Sequence, residues 1–534
     1  MNGSYDAGIS GGSVTAPTPS RRSRAYIIPV TLLLLGGLAY GTLMHSTFHG
    51  FMHPDEMDIA QLARNISEGR GFTTNYLCPL LLTKPPAEPG HPDLWRGPAV
   101  PLLIAAAFRL WGPQDSTATV IAGLSFALLI PLIYLTGTRL FGQRSGLAAA
   151  AIALVSPLLL KYATQTMTEE TSALLMVLTL YLLFRRAHPA IIGCLAAASY
   201  LTHTSFLLVT VMCAIALYRL YDARYRSLVW FAVAFAVAVA PWWARNAMVA
   251  GNPFSSKILN YAILMFTSTY PGHSLSYTIH PPELRQAVLS NVLPIAHKAA
   301  SGVANMLVGI PRLPQNVCVT FLALVGLMSW RRWPRDTRVV LGAFLCWLVL
   351  TIPVAAMAQP QLRKYVSTIP VIVMLAGHAL VLITQRFRTA FQWAALGAAI
   401  MVIAIASVPA IAQTDHAPAS YYSQEEVAYI TERTAPGELV VTDGTASLAW
   451  YGRRTELWAP STYAELSEVA PCVTYVYFSS GERGQAYREA MIEREYLHNA
   501  AFLRDFEIEK RFQTGATVYR RAHVCSEAGR VSGR

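Results

Sequence analysis

Charge is what this chain has least of: only 13% of its 534 residues are Asp, Glu, Lys or Arg, too few to cover the surface of a soluble protein of that size. Its seven cysteines form no Cys-x-x-Cys pair and no Cys/His ligand spacing, which leaves out zinc-finger and thioredoxin-like chemistry. Tandem repeats and extended low-complexity tracts are also missing, apart from the Gly/Ser/Pro-rich residues 1–20, which read as a disordered tail. The net charge of +12 would suit a nucleic-acid partner if it were concentrated in a soluble region. It is not, because residues 413–534 hold 13 Lys and Arg against 17 Asp and Glu. A nucleic-acid role is set aside on that distribution.

What is present instead is apolar sequence, 54% of the chain, with a mean hydropathy of +0.38. The first run, Tyr26 to His45, is long enough to cross a bilayer. It lacks a small-residue cleavage site and follows Arg21, Arg22 and Arg24, so it reads as a positive-inside anchor. Further basic clusters at 139–144, 185–188, 219–226, 331–338 and 385–388 alternate with connections poorer in Lys and Arg. Taking these clusters as cytoplasmic predicts an α-helical polytopic membrane protein of about eleven spans. Residues 1–25 form a cytoplasmic tail, 26–412 the membrane domain, and 46–116 and 249–315 two long loops outside. Residues 98–112 are short and bounded by proline and glycine, and they predict a helix lying in or re-entering the outer interface.

Beyond Gln413 the composition becomes that of a small extracytoplasmic α/β domain, 413–534. Ser423 and Glu426 make a capping box. Segments 438–444 and 472–480 read as buried strands, 481–500 as a helix, and the last apolar runs as a hairpin around Thr514 and Gly515. Cys472 and Cys525 fall in this region and would be free to form a disulfide there, whereas Cys194, Cys213, Cys318 and Cys346 lie in apolar runs as small core residues.

Scarce acids make the few that fall near membrane ends informative. Asp55, Glu56 and Asp58 follow the first span, on a helix-like run that sets Asp55 and Asp58 on one face and turns Glu56 about 100° away. An amphipathic helix lying on the membrane would hold such an acid at fixed height. Glu169 and Glu170 open another apolar helix on the same side, where one acid would satisfy the helix N-terminus and two exceed that need. His203, Arg245, Arg363 and Lys364 lie at the same ends of three further spans. Carboxylates and cations meeting at one bilayer face suit an anionic, lipid-borne substrate.

In their order along the chain, the HPDE segment with ARN and EGRGF, the TMTEE span, LTH at a turn, PWWARN with GNP, RKY before a proline, and AWYGRR with WAP resemble a known family. It is the group of bacterial polyprenyl-phosphate-dependent glycosyltransferases of GT-C fold that includes protein O-mannosyltransferases and the aminoarabinose transferases of lipid A. The resemblance covers most of residues 26–460. It implies Asp55 as catalytic carboxylate, Glu56 beside it and Glu169 as second-loop acid. From the residues' own chemistry, Arg245, Arg363, Lys364 and His203 would hold the donor phosphate, and Asp58, Glu170 and Tyr365 are kept as acceptor-side or other site residues. Two positions depart from the family pattern: His203 stands where Arg is usual, and Lys364 is inserted between Arg363 and Tyr365.

The residues support that chemistry independently. A sugar on a polyprenyl phosphate already carries a good leaving group, so the reaction needs a base for the acceptor hydroxyl and cations for the departing phosphate. A single displacement inverts the anomeric centre. Mg²⁺ or Mn²⁺ on Asp55, Glu56 or Glu169 is chemically compatible but not required, and no metal site is assigned. The implied partners are a polyprenyl-phosphate sugar and an envelope lipid, glycan or protein, at the bacterial cytoplasmic membrane. A transporter or flippase of lipid-linked anions is the rival; it predicts acids near the bilayer midplane in two matching halves.

Overall fold

Residues 19–254, 257–412, 423–479 and 495–523 are described by the computed structural model of the chain. The helices run α1 (Pro19–Thr47), α2 (Pro54–Ser67), α3 (Ala99–Trp111), α4 (Asp115–Phe141), α5 (Gln143–Leu154), α6 (Pro157–Ala163), α7 (Glu169–Phe184), α8 (Pro189–Thr202) and α9 (Val209–Leu220). They continue with α10 (Arg224–Ala250), α11 (Lys257–Tyr261), α12 (Leu284–Ser290), α13 (Val292–Gly309), α14 (Val317–Met328), α15 (Arg335–Ala358), α16 (Ile369–Thr384) and α17 (Thr389–Ala412). Among the described residues six helices are long and apolar enough to cross a membrane, or eight if α5 with α6, bent by 61°, and α13 with α14, bent by 98°, each count as one. Pro157 opens α6 just beyond the end of α5, so the two helices meet at a bend rather than forming one straight span.

Helices α4 and α16 form the buried centre, while α1, α10 and α17 show most of their apolar surface outward, as lipid-facing helices do. Small residues permit the close crossings on which membrane helices depend. A Cβ at Gly326 of α14 would stand 2.3 Å from the Leu375 carbonyl of α16, so glycine alone allows that contact.

Two expectations change. The region 249–315, expected as a long loop, contains α11, α12 and the 18-residue α13. And α2 is not half-solvated on a membrane surface. Ten of its residues are buried, between α3 and the C-terminal region.

That region adds α18 (Gln424–Arg433), α19 (Ser447–Trp450) and α20 (Tyr463–Val469). The strands are β1 (Thr73–Thr74), β2 (Tyr76–Leu77), β3 (His91–Pro92), β4 (Leu439–Thr442), β5 (Thr455–Trp458), β6 (Tyr475–Phe478), β7 (Phe506–Arg511) and β8 (Thr517–Arg521). Six of them make one sheet in the order β2-β5-β4-β6-β8-β7, parallel from β2 to β6 and antiparallel beyond. The expected capping box opens α18, and the expected strands and hairpin are β4, β6, β7 and β8. The edge strand β2, however, comes from the first loop, with Tyr76 beside Glu456 and Leu77 beside Leu457. The C-terminal sheet is thus completed by a segment nearly four hundred residues earlier. Most of 481–500, and Cys525, lie outside the described residues.

Buried side chains lock this joint. Arg64 of α2 donates to the carbonyls of Trp450 (2.6 Å) and Ala449 (2.7 Å) and lies 4.9 Å over the Trp450 ring. Asp115 at the start of α4 accepts from Trp450 Nε1 (2.7 Å) and the Tyr451 hydroxyl (2.6 Å). Arg64→Met would leave two buried carbonyls unpaired, at a cost of about 3 kcal/mol. Its expected outcome is a melting midpoint several degrees lower and faster proteolytic release of the C-terminal region. An unchanged midpoint would contradict the joint.

Candidate functional site

The site begins where α2 begins. Pro54 takes the first helical position, where its missing N–H costs nothing. Glu56 then turns back: its Oε2 accepts the N–H groups of Met52 (2.9 Å) and His53 (3.0 Å), and its Oε1 that of Thr166 (3.0 Å) in the loop before α7. One buried carboxylate thereby fixes the start of α2 against the start of α7. Asp55, one residue earlier, points instead into a cavity of about 360 Å³.

Inside that cavity Asp55 lies between two guanidinium groups. Arg96 Nη2 donates to its Oδ1 and Arg363 Nη1 to its Oδ2, both at 2.7 Å. Arg96 is itself held by Asp58, whose Oδ2 accepts from Nε at 2.7 Å, and by Asp93, whose Oδ1 accepts the backbone N–H groups of Trp95 (3.0 Å) and Arg96 (2.7 Å). The next residue must be glycine, because a Cβ at Gly97 would sit 2.3 Å from the Leu201 carbonyl at the end of α8. Arg363 stands on a 3-10 turn, Leu362–Thr368, with its Nε 3.0 Å from Gln361 Oε1 and 3.9 Å from Glu169 Oε1. The other Glu169 oxygen is buried with no hydrogen-bond partner among the described residues. Lys364 donates to Gln359 Oε1 at 3.1 Å and completes the cationic wall.

Burial acts to raise the Asp55 carboxyl, but Arg96 and Arg363 outweigh it and hold the group well below the usual carboxylate range. Asp55 is therefore ionised throughout the physiological range. His203 lines the same cavity, with Nδ1 2.7 Å from the Ser205 hydroxyl. Burial, reinforced by Lys364, Arg363 and Arg96, pushes it down to about 3. It is a neutral imidazole here, not the cation expected from sequence.

Glu56 moves the opposite way. Burial lifts it to about 7 against the opposing pull of its three backbone donors. A carboxyl whose folded value lies above its ordinary 4.5 binds its proton more tightly in the folded protein. Stability therefore falls as pH rises from about 4.5 to about 7 and levels off above. Melting curves between pH 5 and 8 should show that slope in the wild type and a shallower one in Glu56→Gln. Equal slopes would contradict it.

The residues singled out by sequence thus divide. Asp55, Glu169, His203, Arg363 and Lys364 line one cavity. Asp58 lies behind Arg96 as its anchor. Glu56 faces backbone, so its capping geometry leaves no oxygen for substrate. Glu170 and Tyr365 are buried away from the cavity. Arg245 is also outside it: Nη2 donates to the Phe72 carbonyl at 3.2 Å, and the guanidinium lies over the Trp242 and Phe72 rings at 4.9 and 5.2 Å. A carbonyl and two aromatic faces occupy the cation intended for phosphate. The residue missed was Arg96; an arginine next to Gly-Pro in the first loop was its only signal.

The acids do not fit a divalent ion as arranged. Both Asp55 oxygens accept from guanidinium groups and Glu56 is filled by N–H donors. Among the described residues no three His, Cys, Asp or Glu side chains converge as ligands.

Aromatic residues line the same cavity. Tyr76, Trp95, His273 and Trp458 line it, with Trp458 5.3 Å from Tyr76 and 5.7 Å from Trp95 between ring centroids.

Residues 91–245 match the family described as dolichyl-phosphate-mannose-protein mannosyltransferase. No curated protein sequence is significantly similar to the chain. Solved structures resemble it at low identity. The oligosaccharyltransferase AglB of Archaeoglobus fulgidus, in complex with an inhibitory peptide and a dolichol-phosphate, superposes with a TM-score of 0.58 at 13% identity, over 93% of this chain and 75% of that one. ArnT of Cupriavidus metallidurans, bound to undecaprenyl phosphate, gives 0.56 at 14% identity, over 93% and 98%. The fold of this chain is the GT-C fold of those proteins.

Proposed function

We propose that this multi-span GT-C-fold glycosyltransferase takes its sugar from a polyprenyl-phosphate donor and places it on a hydroxyl of an envelope lipid, cell-wall glycan or protein, on the outer side of a bacterial cytoplasmic membrane. The observation that carries the reading is one cavity holding an ionised Asp55 against Arg96 and Arg363, with Lys364 beside them. Likeness to an undecaprenyl-phosphate-bound protein supports the donor class.

Two adjacent cations and the neutral His203 can receive the donor phosphate, with the Arg363 fork the strongest donor. As phosphate draws Arg363 toward itself, Asp55 loses one partner and becomes a better acceptor for the incoming hydroxyl proton. The hydroxyl oxygen then bonds to the anomeric carbon while the bond from that carbon to the phosphate oxygen breaks. The proton passes to Asp55 and polyprenyl phosphate leaves with the bonding pair. Attack from the face opposite the phosphate inverts the centre. The unpartnered Glu169 oxygen offers a second acceptor for a substrate hydroxyl.

A transporter predicts acids near the bilayer midplane in two matching halves, whereas Asp55, Glu169, Arg96, Arg363 and Lys364 all line one cavity. Purified protein in sealed vesicles should convert a labelled polyprenyl-phosphate sugar and an envelope extract into labelled acceptor. Movement of the lipid without a covalent product would overturn the reading.

A further inference from the structure

Two of the cations lining the cavity are paired with acids: Arg96 with Asp55 and Asp58, and Arg363 with Asp55 and, at 3.9 Å, Glu169. Lys364 is not; among the described residues its ammonium donates only to the Gln359 amide, whose Oε1 lies 3.1 Å from Nζ. Gln361, two residues on, treats Arg363 in the same way, its Oε1 accepting from Nε at 3.0 Å. Both glutamines line the cavity. An amide oxygen orients a cation without cancelling its charge, which a carboxylate in the same place would do.

This short brace between α15 and the 3-10 turn is itself fixed at three points. Its backbone closes around Pro360, with the Gln361 N–H donating to the Gln359 carbonyl at 2.8 Å. Its base is the end of α15, where the buried Lys298 of α13 donates to the Ala358 carbonyl (3.0 Å) and to those of Ala262 (2.7 Å) and Ile263 (3.2 Å) just beyond α11. The third point is His273, whose Nε2 lies 3.2 Å from Gln359 Nε2. An ammonium only donates, so the amide oxygen must face Lys364 and the NH₂ group must face His273. The imidazole Nε2 therefore accepts, and turning the amide over would break both contacts.

On the reading that the cavity receives a polyprenyl phosphate, we propose that Gln359 is a positioning residue for that phosphate, aiming Lys364 into the cavity while leaving its charge intact. Arg363 has to loosen its hold on Asp55 before it can serve the anion. Lys364 has no such cost, because its ammonium carries three N–H donors and gives one to Gln359. The two that remain are available to phosphate oxygens. Gln359 thus acts through Lys364 and takes no part in the bond changes themselves.

The test is a double-mutant cycle on the full-length protein in nanodiscs, titrated with undecaprenyl phosphate. Gln359→Leu removes the amide and should weaken binding by about three- to tenfold, the worth of a hydrogen bond. In a Lys364→Gln background the same change should alter affinity by less than about twofold, because there is no longer an ammonium to aim. Gln359→Glu keeps the size and the accepting oxygen but pairs the ammonium with a negative charge, so it should bind at least as weakly as Gln359→Leu. A purely structural role for Gln359 predicts the opposite on both counts: equal losses with and without Lys364, and wild-type affinity in the near-isosteric Gln359→Glu. Either result, or wild-type affinity in Gln359→Leu, would overturn the proposal. Absence of any undecaprenyl-phosphate binding by wild type would instead overturn the donor reading on which it rests.

Discussion

Asp55→Asn is expected to lower sugar transfer by about 10²–10⁴-fold, the range a positioned general base typically contributes. The amide keeps the size of the carboxylate but can no longer take a proton. It also presents an NH₂ group to one of two guanidinium donors now held at 2.7 Å. Binding of the donor should survive, because Arg363, once released from the carboxylate, is freer to meet phosphate. The separation between lost turnover and retained or tightened donor binding is the informative part. A variant that bound donor poorly and still turned over normally would reverse the assignment of roles in the cavity.

Arg363→Gln should produce the complementary loss. A charged hydrogen bond is worth about 1.5–3 kcal/mol, so donor affinity should fall by about 10–100-fold. Arg363→Lys should recover only part of it, since an ammonium cannot bridge Asp55 and a phosphate with a planar fork. Titration of each variant with undecaprenyl phosphate reads the effect directly. Full affinity in Arg363→Gln would place the phosphate elsewhere.

How much of this was legible beforehand depended on how local each signal was. The HPDE segment stands out because acids are scarce and a proline fixes the helix start beside them. The spans stand out by hydropathy alone, and the capping box of α18 by residues three apart. Arg96 did not stand out, since its meaning comes from Asp55 and Asp58, about forty residues earlier, and from the Gly97 contact with α8. Arg245 misled for the converse reason. A cation at a span end reads the same whether it faces phosphate or, as here, the Phe72 carbonyl and two rings. The two-residue β2 carries no periodicity, so its place in a sheet built mostly from residues beyond 438 could not be read. His203 was grouped with the cations because it stands at a span end where the family pattern has Arg; burial and the neighbouring Lys364, Arg363 and Arg96 keep it neutral.

The account rests on consumption of a lipid-linked sugar at Asp55. Mass spectrometry of envelope lipids and glycans from cells carrying the wild-type protein, none, or Asp55→Asn at equal abundance addresses that most directly. The account predicts that the last two agree: one polyprenyl-phosphate monosaccharide accumulates and one sugar disappears from its acceptor. Cells with Asp55→Asn whose lipids and glycans match the wild type would contradict it.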